Sequence, residues 1–264
     1  LANRLDSAPR KIAAVSKRCP KTYPEGKMQT MEIRRLSLAA GASAATGLAV
    51  IIDVFRSFSS EPLLIHLGTA RLLLEIDVER CFALSGDALL VGSSNEDPIP
   101  GFDLTNSPYR ILEAGAERFR GRTVIHRSTS GVGGVPAALA RADEVLLASF
   151  LNARATAAYI RQRGPTTVSL VAMGSRASVP APEDERCADY LESLLTGEPY
   201  DHAAALVEIL AHPNARKYLD TDHPHLPKED IILCLQRDVV DFALRAERRG
   251  DMIEAVPVRA GKAG

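Results

Sequence analysis

Residues 48–60 read Leu48-Ala-Val-Ile-Ile-Asp53-Val-Phe-Arg56-Ser-Phe-Ser-Ser60. The opening run is apolar without alternation, as in a strand covered on both faces. It stops at an acid, and an arginine and a row of hydroxyls follow at once. In open sheets of such strands, ligands bind just outside the carboxyl ends, so a site is expected here. Asp53 suits a hard cation or a water that must be oriented, and Arg56 suits a bidentate clamp on a phosphate or sulfonate. The same residues also allow an Asp53–Arg56 ion pair, with Ser57 capping the following helix. Phe55 stands where a DxD phospho-aspartyl enzyme would carry its second aspartate, which argues against that chemistry.

Outward from this segment, short apolar runs recur at Arg71–Ile76, Ala88–Val91, Thr123–His126, Glu144–Ala148 and Thr167–Ala172, and Met31–Leu38 opens the series. Helical spacing fits Ser59–Leu67, Ser107–Ala116, Val135–Arg141, Ala153–Arg163 and Glu183–Leu195. The alternation predicts an α/β fold, a mostly parallel or mixed sheet flanked by helices. The C-terminal part is more helical, with helices predicted over Asp201–His212 and Glu229–Leu244 and a loop-like segment over 212–227. A second subdomain beginning near residue 200 is left open. Residues 1–30 mix Lys, Arg, Pro and Ser without periodicity and read as a mobile extension, 31–257 as the folded region, and 258–264 as a tail.

Composition limits the function. Of 264 residues, 46% are hydrophobic and 25% charged, the usage of a chain that builds a core. The formal net charge is -1 and there is no Trp, so neither the basic footprint nor the stacking surface of a nucleic-acid binder is present. Leu36–Ile52, the most apolar stretch, is too rich in Gly, Ala and Ser for a membrane span, so no membrane partner is expected. The four cysteines lie far apart with no CxxC pair, which predicts reduced thiols in a cytoplasmic protein. A small anionic substrate is the expected partner, and self-association is left open.

The other strand ends repeat the theme. Pro98-Ile-Pro-Gly-Phe-Asp-Leu-Thr-Asn-Ser-Pro108 is an ordered loop offering Asp103, Asn106 and Ser107, with Ser107-Pro108 also reading as a helix start. Arg127-Ser-Thr-Ser-Gly131 puts a cation, hydroxyls and a glycine before a helix, where backbone N–H groups can receive an anion. A capped turn is the competing reading. Asn152 follows the run ending at Ala148 and reads as polar ligand or N-cap. Glu183-Asp-Glu185 opens a helix with three acids, of which at most two can face one metal. His223 and His225 fall in the loop-like segment and read as solvated.

Taken together, IDVFRSFSS (52–60), PIPGFDLTNSP (98–108), HRSTSG (126–131), ASFLNARA (148–155), PEDERCADYL (182–191) and LPKEDIILCLQRDVVDFAL (226–244) resemble the 2-phosphosulfolactate phosphatase family in order and spacing. The resemblance implies an α/β fold and Mg²⁺-dependent hydrolysis of 2-phosphosulfolactate to sulfolactate and phosphate, a step associated with coenzyme M synthesis. On that basis Mg²⁺ is expected on Asp53 together with Asp184 or Asp103. Asp53, Arg56 and Asn152 are the expected catalytic residues. Arg127, Ser128, Thr129, Ser130, Gly131 and Asn106 are the expected substrate contacts. The chain departs from the family where Gly-Glu-Arg is common, reading Gly92-Ser-Ser-Asn95 with Glu96 nearby, and carries Thr105 in place of a glycine. Those departures keep two alternatives open: another phosphorylated or sulfonated hydroxy-acid as substrate, or an inactive anion-binding homologue.

Overall fold

The computed structural model describes residues 16–19, 31–220 and 222–261. Of the expected N-terminal extension only Ser16–Cys19 is described; residues 1–15, 20–30 and 262–264 lie outside the described residues.

The strands in chain order are β1 (Ser16–Cys19), β2 (Met31–Ser37), β3 (Leu48–Ile52), β4 (Arg71–Leu74), β5 (Leu89–Ser94), β6 (Asp97–Pro98), β7 (Thr123–Arg127), β8 (Glu144–Ala148), β9 (Thr167–Ala172), β10 (Ala243–Arg249) and β11 (Met252–Val258). The helices are α1 (Leu38–Ala44), α2 (Ser57–His66), α3 (Val78–Ser85), α4 (Pro108–Ala114), α5 (Ala116–Phe119), α6 (Gly131–Leu139), α7 (Ala153–Arg163), α8 (Pro182–Thr196), α9 (His202–Ala211), α10 (Pro213–Arg216) and α11 (Glu229–Cys234).

The sheet order is β1-β2-β9-β3-β8-β10-β11-β4-β7-β5-β6. Strands β2, β9, β3 and β8 pair in parallel, as do β4, β7 and β5. The antiparallel hairpin β10–β11 joins these two parallel halves, pairing with β8 on one side and β4 on the other. Through the hairpin the halves run in opposed senses. The segments that follow β3 and β7 are nonetheless in contact, since Asp53 accepts the Gly131 N–H and the Ser57 hydroxyl donates to Ser128 Oγ.

Both faces of the sheet are covered, which is why β3 reads as unbroken apolar sequence. Leu48, Val50 and Ile52 enter the core shared with α7, α8 and α9, while Ala49 and Ile51 enter the core shared with α1, α2 and α6. In β8, Leu146 and Ala148 join the first core, and Val145 and Leu147 the second. Alternation within an all-apolar run is the period of a strand between two helical layers.

The structure corrects the predicted helix over Glu229–Leu244. Helix α11 stops at Cys234, and Ala243 and Leu244 lie in β10. Between them Asp238 has φ 58°, and the N–H groups of Asp238 and Val239 donate to the carbonyls of Phe150 and Leu151. Apolar residues at helical spacing are consistent with either state there, and pairing with β8 decides it. The loop-like segment 212–227 also contains α10, capped by His212, whose Nδ1 accepts from the Asn214 N–H. Helices α1, α3 and α5 and the strands β1, β6, β10 and β11 were not anticipated from sequence, and β1, paired antiparallel with β2, falls within the segment read as a mobile extension. No helix among the described residues is long and apolar enough to cross a membrane.

Candidate active site

A cleft opens at the carboxyl ends of β3, β5, β7 and β9, lined by Asp53, Arg56 and Ser57 after β3, by Ser93 of β5 and by Glu96 in the β5–β6 turn. Asn106, Ser128, Thr129, Ser130, Ser175, Arg176, Glu183 and Asp184 complete it, with Asn214 from α10. The cleft therefore lies where the strand-end rule expects a ligand.

Asp53 is the pivot. Its Oδ2 accepts from the Gly131 N–H at 2.6 Å, so the carboxylate sits against the N-terminus of α6. A Cβ at position 131 would come within 2.8 Å of that oxygen and 2.9 Å of Ser57 Oγ, so the contact needs glycine. Asp184, first turn of α8, accepts the Val54 N–H on Oδ1 and the Gly174 N–H on Oδ2, each at 2.7 Å. It ties the ends of β3 and β9 together. Its neighbour Glu183 accepts Asn214 Nδ2 on Oε1 at 3.1 Å, while the buried Oε2 has no partner.

These acids repel one another in a dry place. Burial, offset in part by the Gly131 N–H and reinforced by Glu183, Glu61 and Glu96, raises the Asp53 carboxyl to about 8. Burial likewise raises Glu183, and burial with the charges of Asp53 and Glu183 raises Asp184 well above its ordinary range. None of the three acids is ion-paired among the described residues, and a hard cation would supply that missing partner. Asp53 and Glu183 fit that role, because Glu183 Oε2 is an orphaned buried acceptor. Among the described residues no group of three or more His, Cys, Asp or Glu side chains converges to hold a metal. Magnesium needs only one or two carboxylates, with waters and phosphate oxygens filling its octahedron.

The other two expected ligands are placed differently. Asp184 reaches the cleft with both oxygens committed to backbone N–H groups. Asp103 is not brought to the cleft: its Oδ2 accepts from the Leu90 N–H at 2.9 Å and its Oδ1 pairs with Arg118 at 3.0 Å. Asn152 is also elsewhere. It is fully buried, forms a capping box with Ser149, and donates Nδ2 to the Leu147 carbonyl at 2.9 Å.

The two expected anion clamps are held by the fold. Arg56, 1% exposed, faces Asp230 at 3.6 Å and donates to the carbonyls of Glu96 and His225. This replaces the Asp53–Arg56 ion pair, and Ser57 is not the cap of α2 either, since its hydroxyl donates to Ser128 Oγ at 2.9 Å. Arg127 turns away from the cleft and donates to the carbonyls of Ile76 and Ser93 and to Thr129 Oγ1. Ser128 Oγ accepts the Val132 N–H, Thr129 Oγ1 the Asn95 N–H and Ser130 Oγ the Ala177 N–H, so each hydroxyl of this loop also braces it. Asn106 reaches the cleft with a buried, unpartnered Oδ1.

Beneath the loop, Glu61 of α2 and His126 of β7 form a fully buried pair at 2.8 Å. Burial pushes the Glu61 carboxyl up against the pull of His126. Nothing in the sequence links two residues 65 positions apart, and this pair was missed. Glu183 was visible only as one of three consecutive acids, and Arg176 carried no signal in the sequence analysis.

The 2-phosphosulpholactate phosphatase family matches residues 37–248. A Bacillus subtilis protein named "Probable 2-phosphosulfolactate phosphatase" is 27% identical over 213 residues, covering 79% of this chain and 91% of its own length. A Thermus thermophilus protein of the same name is 29% identical over 222 residues, covering 82% and 90%. One from Thermoplasma volcanium, again of that name, is 26% identical over 199 residues, covering 74% and 87%.

Proposed function

The chain belongs to the 2-phosphosulfolactate phosphatase family, and from that premise we propose that it hydrolyses 2-phosphosulfolactate to sulfolactate and phosphate with Mg²⁺. The observation that carries this reading is the meeting, in one cleft, of a cation-deficient carboxylate set and a hydroxyl-rich loop before a helix. Magnesium bound there by Asp53 and Glu183 would neutralise charge on a phosphoryl oxygen and lower the pKa of a bound water. Burial raises the Asp53 carboxyl to about 8, and its ionised form would be the one that holds the cation. The Ser128–Ser130 loop fixes the phosphoryl group beside that carboxylate, and Asn106 Oδ1 offers an acceptor to a substrate or water proton. Arg56 holds the Glu96 backbone at the cleft wall. Free, buried thiols at Cys81, Cys187 and Cys234 suit the cytoplasmic location we propose.

The test is phosphate release from 2-phosphosulfolactate by chelator-treated protein, with and without added Mg²⁺. Turnover should depend on the metal. Asp53→Asn should lower kcat/KM by about 10²–10⁴-fold while the fold persists, since electrostatic groups of this kind contribute several kcal/mol. Near-normal turnover by that variant, or turnover unaffected by chelation, would refute the assignment.

A further inference from the structure

Arg176 lines the cleft and, among the described residues, has no hydrogen-bond or ion-pair partner. The other cations near the substrate space are engaged. Arg56 is buried against Asp230, Arg127 is fixed to backbone carbonyls, and Lys217 is paired with Glu96. The position of Arg176 is set with care. It occupies a tight turn closed by the Ser175 N–H on the Val179 carbonyl at 2.8 Å. The turn holds both Arg176 and Ala177 in the left-handed region, at φ 52° and 54°. Side chains other than Asn, Asp and Gly seldom occupy that region unless neighbours impose it. Here the neighbours belong to the site. The Ala177 N–H donates to Ser130 Oγ at 3.2 Å, its carbonyl accepts from Ala39, and Gly174 at the base of the turn donates to Asp184. The turn is thus fastened at one end to the loop that would receive the phosphoryl group, and it places a free guanidinium at the cleft's exposed edge.

We propose that Arg176 is a specificity-determining residue that holds the sulfonate of the substrate. This rests on the phosphatase reading above. In 2-phosphosulfolactate the carboxylate and the phosphate ester share one carbon, and the sulfonate lies on the next. The sulfonate is therefore the anionic group that reaches outward when the phosphoryl group lies at Ser128–Ser130. A guanidinium fork matches its oxygens two at a time.

The experiment compares Arg176→Ala, Arg176→Lys and wild type on 2-phosphosulfolactate and on 2-phospholactate, which lacks only the sulfonate. Arg176→Ala should lower kcat/KM for the sulfonated substrate about 10- to 100-fold, mainly through KM, as loss of a charge-assisted pair requires. Its effect on 2-phospholactate should stay within about 3-fold, and Arg176→Lys should restore part of the loss. The Tm should not move, because the side chain is exposed and unpaired. Equal losses on both substrates, or none on the sulfonated one, overturn the proposal. Wild type inert on both substrates removes the phosphatase reading by itself. The sulfonate subsite is then decided by thermal stabilisation: sulfolactate must stabilise wild type more than lactate does, and Arg176→Ala must abolish the difference.

Discussion

Asp53 is held in the fold at a cost to stability, and the cost depends on pH. Its carboxyl ionises near 3.8 in an unfolded chain and at about 8 in the cleft. Between these values the folded state keeps a proton that the unfolded chain has released, so in cation-free protein unfolding becomes easier as pH rises through that window. Asp53→Asn keeps an acceptor for the Gly131 N–H and removes the charge. The variant should therefore be more stable than wild type at pH 8, on the order of a few kcal/mol, with the difference shrinking toward pH 5. Urea unfolding of the two proteins without metal checks this, and a pH-independent difference would mean that the carboxylate is not destabilised by its burial. The loss of activity in the same variant would then be a trade of stability for function. Asp53 was legible in sequence because its chemistry is local, an acid directly after an apolar strand. Glu183 and Arg176 were not singled out, because their weight comes from one carboxylate oxygen and one guanidinium left without partners in a crowded, charged site, which no neighbouring residue reveals.

At the scale of elements, polar residues at strand ends do two kinds of work that look alike in sequence. Asn152 and Ser149 fasten the turn that starts α7, and Asp103 fastens the loop after β6 to β5. Asn152→Ala should cost about 1–3 kcal/mol, from a lost cap and an orphaned buried N–H, and leave kcat/KM of the folded enzyme within about 2-fold. Denaturant melts beside steady-state kinetics separate these effects, and a collapse of kcat at unchanged stability would return Asn152 to the chemistry. Asp230 makes a similar link on a larger span: from α11 it accepts Ser107 Oγ at 2.7 Å and the Tyr109 N–H at 2.9 Å while facing buried Arg56. A helix start and a cleft wall thus share one carboxylate. The sequence marked Ser107 as the cap of α4, and the structure agrees, since its side chain accepts the Arg110 N–H.

For the molecule as a whole, the hairpin β10–β11 is what makes the sheet continuous. Leu244 and Ala246 are buried within it between β8 and β11, so their amides should exchange only when the whole protein unfolds, as slowly as those of β3. Hydrogen exchange would show this directly, and fast exchange at Leu244 would mean that the hairpin is a loosely held appendage. The sequence determined that the chain is α/β, where most strands and helices lie, and that the site gathers at carboxyl strand ends. Those features are written in apolar runs, caps and turns that act over a few residues. Only the tertiary structure decided that residues 243–258 form the central hairpin, that Arg56 and Arg127 are bound by the fold, and that Glu183 and Arg176 face the cleft with groups to spare. Each of those outcomes depends on which distant segment lies opposite, and a side chain's free valences are known only after its neighbours have taken theirs.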